Sequence, residues 1–412
     1  MEYARDGLRP ERVIAELREL QRLTGDEHGA QRVAWTETWR RALAWEREKL
    51  AGLPLVVETD PAGNQWFTLP GKSERALLIG SHIDSVPNGG WLDGCLGLAA
   101  GYEVLRHIAS QGTPPVTVRL VDWADEEARF GRSLIGSAAA AGTLEIEAVR
   151  HLKDKDGIPL PEALLENGVT LERMPAAQAQ LRNAAAYIEL HIEQGPVLES
   201  LGLPMGAVLG TCGVERSLVD FSGQAAHAGS TPMHLRRDAL AAAARWALRV
   251  REIAVQHGGV GTVGSMAATP GIITAIAGEC SCMLDQRHLD AAALQAMVAE
   301  AQAAAGQIAQ EENVSAVRRS VFQIEPVNFN PELIELADAA VQAVTGTSYR
   351  LPSGPLHDAA ETARAGVPTV MLFVQSLGGL SHTPKEDTKE EHLAMAVAAL
   401  DRLAWEAMER FG

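Results

Sequence analysis

The sequence predicts an α/β protein: a mainly parallel sheet flanked by helices, with a smaller α+β domain inserted into it. Three observations carry this expectation. Between residues 53 and 211, short apolar stretches of strand character alternate with stretches of helical period, which is the pattern of a parallel sheet covered on both faces. The alternation breaks off near Thr211 and resumes after Asn328. At 412 residues the chain is also too long for one ordinary core, so two domains are expected.

Each element follows from its own stretch. The opening ~50 residues are helical by pattern, with Leu17, Leu20 and Leu23 and then Trp35, Trp39, Leu43 and Trp45 at helical spacings. "LPLVVETD" and "GNQWFTLPG" read as strands parted by an Asp60-Pro61-Ala62-Gly63 turn. "RALLIGSHID" is a short apolar strand, "GLAAGYEVLRHIASQG" a helix that ends at a glycine, and "PVTVRLVDWAD" a second buried strand. Residues 212–328 read as two strand-then-helix units. The first is "RSLVDFSGQAAH" with "HLRRDALAAAARWALRVREIAVQHG"; the second is "TAIAGECSCMLDQRHLD" with "DAAALQAMVAEAQAAAGQIAQEE". Such units form a layer of helices on one face of an antiparallel sheet. Afterwards "NPELIELADAAVQAV" is a helix, "VPTVMLFVQS" a buried strand and "EEHLAMAVAALDRLAWEAMERF" a closing helix. The larger domain is therefore expected at 1–211 plus 329–412, and the inserted one at 212–328.

Composition narrows the functional classes. With 46% hydrophobic and 22% charged residues, the chain has the make-up of a soluble globular protein. A net charge of −17 argues against nucleic acid as a partner, because phosphate binding needs a basic surface. A small anionic substrate in a local cationic pocket stays compatible with it. "MEYARDGLRPERVIAELREL" holds no signal-like apolar run, and no segment approaches about 18 uninterrupted apolar residues, so no membrane association is expected. The four cysteines, Cys95, Cys212, Cys280 and Cys282, include no C-x-x-C pair and read as the reduced thiols of a cytoplasmic protein. Cys280 and Cys282 could share one face of a strand, but no further sulfur ligands accompany them to make a zinc pair.

The chemistry is concentrated where strands end. In "LVDWADEEARFGRS" three acids, Asp125, Glu126 and Glu127, follow a buried strand. Alone, such a run is most often a solvated turn. "GSHIDSV" puts His82 and Asp84 on the same side of a strand end, and "NGGWLDGCLG" sets Asp93 in a glycine-dense loop ahead of a helix. "YIELHIEQGP" carries His191 near the end of a strand that Gly195-Pro196 stops, and "SLGGLSHTPKED" holds His382 after the last strand. Loops at the ends of strands in an α/β sheet converge on one crevice. Three imidazoles and two or three carboxylates are the ligand set for zinc or a neighbouring divalent metal, and they suffice for two ions sharing one bridging carboxylate. Singly each residue is a weak signal; the five loops together are specific. His28, His107, His151, His234, His257 and His392 lie on helical or surface-like stretches and carry no functional expectation, while His288, beside Arg287 at a strand end, is intermediate.

Seven stretches in order, "GSHIDSVPNGGWLDGCLG", "DEEARFGRSLIGS", "ELHIEQGPVLE", "AAHAGSTPM…RRDA", "LDQRHLD", "HDA" and "SHTPKE", span essentially the whole chain. Together they resemble the dinuclear metal amidohydrolases that include N-carbamoyl-L-amino acid hydrolase, allantoate amidohydrolase and β-ureidopropionase. That group is related to the carboxypeptidase G-type zinc enzymes. The resemblance implies two divalent metal ions per subunit, Zn²⁺ first, with Mn²⁺, Co²⁺ or Ni²⁺ as alternatives. His82, Asp93 and His191 would hold one ion; Asp93, Glu127 and His382 would hold the other, with Asp93 bridging. It further implies that Asp84 orients His82 and that Glu126 is the general base. His227 would stabilise the developing oxyanion, reaching the partner subunit's site in a homodimer. Arg287 would clamp a substrate carboxylate, Gln194 and His357 would complete the polar lining, and Arg216 is a further anion contact. By themselves Arg216 and Arg287 also read as surface ion pairs. Asp125 has no part in this scheme, and a structural role is expected for it.

Three stretches depart from the group's pattern. Thr274 in "TAIAG" stands where an asparagine is usual, Pro355 and Leu356 in "SGPLHDA" replace small residues, and Glu215 in "GVERS" occupies a place often basic or polar. All concern substrate recognition and none the metals or the base. The expected activity is hydrolysis of a linear amide, foremost the carbamoyl group of a carboxylate-bearing ureido acid, releasing amine, carbon dioxide and ammonia. The alternatives are an N-acyl amino acid amidohydrolase or dipeptidase, and a non-catalytic metabolite-binding descendant.

Overall fold

Runs that are apolar on every residue can be strands only where both faces of a sheet are covered, and the computed structural model, which describes residues 5–412, covers them so. In chain order the strands are β1 (Val56–Thr59), β2 (Gln65–Leu69), β3 (Ala76–Ser81), β4 (Thr117–Asp122), β5 (Ala184–Ile192) and β6 (Met205–Thr211). There follow β7 (Gly213–Ser222), β8 (Val260–Thr269), β9 (Glu279–His288) and β10 (Ser315–Ile324), then β11 (Arg350–Ser353) and β12 (Thr369–Val374). The chain forms two compact units, residues 1–210 with 329–412, and residues 211–328.

The larger unit is built on a sheet of order β6-β12-β5-β3-β4-β2-β1, with β11 paired to β6. Its four central strands, β12, β5, β3 and β4, are parallel. The flanks are antiparallel, β6 against β12 on one side and the β1–β2 hairpin against β4 on the other. The expected parallel centre is present, and its antiparallel flanks make the sheet mixed. The reason is local: Asp60 Oδ1 accepts the N–H groups of Ala62 and Asn64, closing a turn far too short for a parallel crossover. The helices α1 (Pro10–Thr24), α2 (Glu37–Lys49) and α3 (Cys95–Ser110) lie in the first half of this unit, and α3 packs on β3, β4 and β5. Leu77, Leu78, Ile79, Leu120, Val121, Ile188, Leu190 and the whole of β12 are buried.

In the inserted unit β8, β9, β7 and β10 form an antiparallel sheet in that order. The helices α4 (Ala239–His257) and α5 (Ala291–Glu311) cover one face of it around Trp246, Phe221 and Met297. Asp238 and Asp290 cap the two helices with their carboxylates, and Trp246 Nε1 donates to Ala301 O at 2.8 Å, joining them. Two of these strands, β8 and β10, were not expected from the sequence. Cys280 and Cys282 do share one face and are buried among core residues, where burial pushes the Cys282 thiol up to about 12. In the larger unit the chain resumes with α6 (Pro331–Thr345), α7 (Asp358–Arg364) and α8 (Glu390–Phe411). The backbone N–H of Phe329 donates to Leu209 O at 3.0 Å. Among the described residues no helix is long and apolar enough to cross a membrane.

Candidate active site

All four central strands point their carboxyl ends at one place. His82 follows β3, Glu126 and Glu127 follow β4, His191 is the penultimate residue of β5, and His382 stands in the loop after β12. Asp93 enters just before α3, behind Gly94, which has φ of +65° and whose missing side chain would collide with the ring of His82. Only glycine fits that junction.

Asp93 faces two ways. Its Oδ1 lies 3.2 Å from His191 Nε2 and 3.9 Å from His82 Nε2, while its Oδ2 lies 3.3 Å from His382 Nε2. The second group is closed by Glu127 Oε2, also 3.3 Å from His382 Nε2. The donor atoms of His82, Asp93 and His191 all lie within 4.8 Å of one another, as do those of Asp93, Glu127 and His382. Glu126 Oε2 stands 3.8 Å from His82 Nε2, beside both groups.

Hydrogen bonding decides which ring nitrogens are offered. His82 Nδ1 lies 3.2 Å from Asp84 O and His191 Nδ1 lies 2.9 Å from Ile192 O. A carbonyl oxygen only accepts, so each Nδ1 carries a hydrogen and each neutral ring turns a lone pair on Nε2 toward Asp93. His191 Nε2 and Glu127 Oε1 are buried and without a hydrogen-bond partner; the His191–Asp93 approach is close but not aligned for a bond. Lone pairs and carboxylate oxygens converging in a buried space repel unless a positive charge lies among them. The residues therefore fit divalent cations, with three imidazoles and two carboxylates in two overlapping groups.

Without a metal, the same demand for positive charge falls on protons. Burial, reinforced by the charges of Glu127, Asp358, Asp84 and Asp93, holds Glu126 well above the usual carboxylate range. Burial and the charges of Asp93 and Asp84 do the same to Glu127. At Asp93 burial acts upward, but the imidazoles of His191 and His382 outweigh it and keep the carboxyl well below its ordinary value. Burial lowers His191 in turn, and Asp93 overrides it to leave the ring at about 9.

The acidic triplet resolves into separate environments. The carboxylate of Asp84 accepts the backbone N–H groups of Glu126 and Glu127, at 3.3 and 3.1 Å, so it shapes the turn as well as lying near the His82 ring. Asp125, fully buried, accepts from Trp35 Nε1 and Arg129 N, both at 3.1 Å. Asp125, Gln194 and His382 all have left-handed backbone, with φ of 57°, 56° and 55°, and unfavourable backbone of this kind gathers at functional sites. Gln194 Nε2 donates to Asp93 Oδ2 at 2.9 Å. His357 is buried, its ring centroid 4.5 Å from that of His191, and burial beside His191 holds it well below the ordinary histidine value.

Arg216, His227 and Arg287 belong to the inserted unit. Asp285 stands opposite Arg216 in the β9–β7 register, and its carboxylate takes Arg216 Nε and Arg287 Nε, each at 2.8 Å. His227 is exposed, and its Nδ1 accepts the N–H of Gly229 at 3.1 Å, which leaves the hydrogen of the neutral ring on Nε2. Glu215 is a buried partner of Arg318 and Ser320. Thr274 offers its carbonyl to Ala228 N, and Pro355 its carbonyl to Ser353 Oγ. One residue the sequence reading quoted without a role is Glu386. It is buried, and its Oε1 accepts the N–H groups of Leu92 and Asp93, both at 3.0 Å.

A mixed α/β sheet whose strand ends carry two overlapping imidazole–carboxylate groups is the framework of a metal-dependent hydrolase. The chain belongs to peptidase family M20/M25/M40, whose family model matches residues 78–406. It is 38% identical over 385 residues to an N-carbamoyl-L-amino acid amidohydrolase of Geobacillus stearothermophilus, covering 92% of this chain and 93% of that one. It is 33% identical over 388 residues to an allantoate amidohydrolase of Escherichia coli, covering 92% and 94%. The crystal structure of a hydantoinase/carbamoylase family amidase from Burkholderia multivorans superposes with a TM-score of 0.90 at 30% identity, over 97% of this chain and 98% of that one.

Proposed function

We propose that the protein hydrolyses the ureido group of a small carboxylate-bearing molecule, foremost an N-carbamoyl amino acid. The reaction takes one water and gives the amine, carbon dioxide and ammonia. The observation that carries this reading is Asp93 facing both donor groups, with Glu126 beside them. The names of the relatives support a ureido group over an N-acyl or dipeptide substrate. A purely binding descendant would have no use for Glu126.

His82, Asp93 and His191 would hold one divalent ion, and Asp93, Glu127 and His382 the second; three imidazoles favour zinc, with manganese, cobalt or nickel as alternatives. When bound, such ions polarise the substrate carbonyl and acidify water at neutral pH. Glu126 takes the proton from the attacking water and delivers it to the leaving nitrogen, a task suited to a carboxyl whose proton affinity burial has raised. Asp84 holds the turn that presents Glu126 and fixes the His82 ring. His227 presents Nε2–H as a donor to the developing oxyanion. Arg287, with Arg216 beside it on Asp285, receives the substrate carboxylate, and Gln194 and His357 line the pocket.

The protein acts as a homodimer in this reading. Leu240, Leu248 and Val255 on α4 and Val260 on the edge strand β8 are 40–81% exposed, an apolar surface that a second copy would cover. Four buried free thiols support a reducing, cytoplasmic setting.

The test is ammonia release from a panel of N-carbamoyl amino acids, allantoate and N-acyl amino acids, before and after chelation and with each metal restored. Ammonia from ureido acids alone, lost on chelation and regained with metal, is the expected result. Turnover confined to N-acyl substrates, or full activity in metal-free protein, would overturn it.

A further inference from the structure

Glu386 does no chemistry in the scheme above, yet it is among the most constrained side chains of the larger unit. It is 2% exposed. One carboxylate oxygen accepts the main-chain N–H groups of Leu92 and Asp93, both at 3.0 Å. The other accepts Ser381 Oγ at 3.0 Å, and that hydroxyl lies 2.9 Å from Asp93 Oδ2. Glu386 thus grips Asp93 by its backbone and, through Ser381, by its side chain. Gly90 leaves the room for this, since a side chain there would collide with the Glu386 carboxylate.

The two donor groups depend on that grip unequally. In the first, the His82 and His191 rings are buried and anchored by Asp84 O and Ile192 O, contacts that involve neither Glu386 nor its loop. In the second, His382 has a side chain 51% exposed and stands one residue after Ser381, on the loop that Glu386 ties to the 90–93 segment. From this we infer that Glu386 is a positioning residue chiefly for the Asp93–Glu127–His382 position: both groups share Asp93, but of the other donors only His382 stands on the segment it ties, so it sets the affinity of the second ion far more than that of the first. The inference rests on the reading that these groups hold two ions.

Metal titration of the chelator-stripped full chain with Zn²⁺, repeated with Co²⁺ to record the visible spectrum, tests it. Wild type should bind two ions. Glu386→Ala should bind the first within a few fold of wild type and the second roughly 10–100-fold more weakly, the usual effect of removing a residue that supports a ligand. Glu386→Gln keeps an oxygen for the Leu92 and Asp93 N–H groups and should recover the second ion to within a few fold, which a loss of bulk stability would not predict. Should Glu386→Ala not fold, Glu386→Asp, still anionic but one methylene short of those N–H groups, should show the same selective loss. Wild-type affinity for both ions in the Ala or Asp variant, or equal weakening of both, overturns the inference. A wild-type stoichiometry below two overturns the dinuclear reading itself, and the inference with it.

Discussion

Two consecutive glutamates can do different work because Asp84 pins both of their backbone amides, leaving one carboxylate beside His82 and the other beside His382. Glu126→Gln preserves shape and removes the proton acceptor. It should keep the wild-type metal content and lower kcat by roughly 10²–10⁴-fold; near-normal turnover would remove Glu126 as the base. The residues that converge around Asp93 could be picked out in the sequence because each is a histidine or carboxylate at or just past a strand end or ahead of a helix. The partners of Asp125, for which a structural role was expected, and of Glu386 could not. The work of these two carboxylates is to accept hydrogen bonds from Trp35 and from the backbone of Leu92 and Asp93, partners 90 to 294 positions away, and no local pattern announces such pairings. Arg216 and Arg287 are ion-paired to Asp285, as the surface ion-pair reading expects, and are partly exposed.

At the level of elements, the apolar runs of β3, β4 and β12 were read correctly as strands and the long helices from their period, whereas β6 and the short helical stretches between β4 and β5 were not read. The strands β8 and β10 were missed because they lie at the two edges of the inserted sheet and are largely exposed. Glycine, serine and alanine fill β8, and Arg318 and Arg319 interrupt β10, so neither shows a continuous apolar face. A different link joins α3 to α8: His107 Nδ1 meets Asp401 Oδ1 at 2.7 Å in a buried setting, with Arg5 Nε 4.0 Å from the other oxygen. The hydrogen bond to Asp401 raises the His107 pKa. The folded state therefore holds this proton more tightly than the unfolded chain. Its contribution is complete below about 6.5, the unfolded histidine value, and is lost as pH rises through the folded value. His107→Gln should cost up to about 3 kcal/mol at pH 5 and progressively less toward pH 9, as read by denaturant unfolding; a cost independent of pH would refute the charged pairing.

For the whole molecule, the apolar surface of α4 and β8 predicts association. Sedimentation at micromolar concentration should give the mass of two chains, and a monomer there would remove the shared-site role of His227. The acidic surface, with a net charge of −17, makes that association easier at moderate salt than at low salt. The hydrogen bond from Phe329 N to Leu209 O has a further consequence. The backbone leaves the larger unit and returns to it across a single ladder step, so to that unit the whole of residues 211–328 is one closed loop. Loop closure depends only on the logarithm of loop length. A folded insert whose ends leave and re-enter at hydrogen-bonded neighbours asks of the host sheet only that those two positions stay side by side, whatever the insert's size.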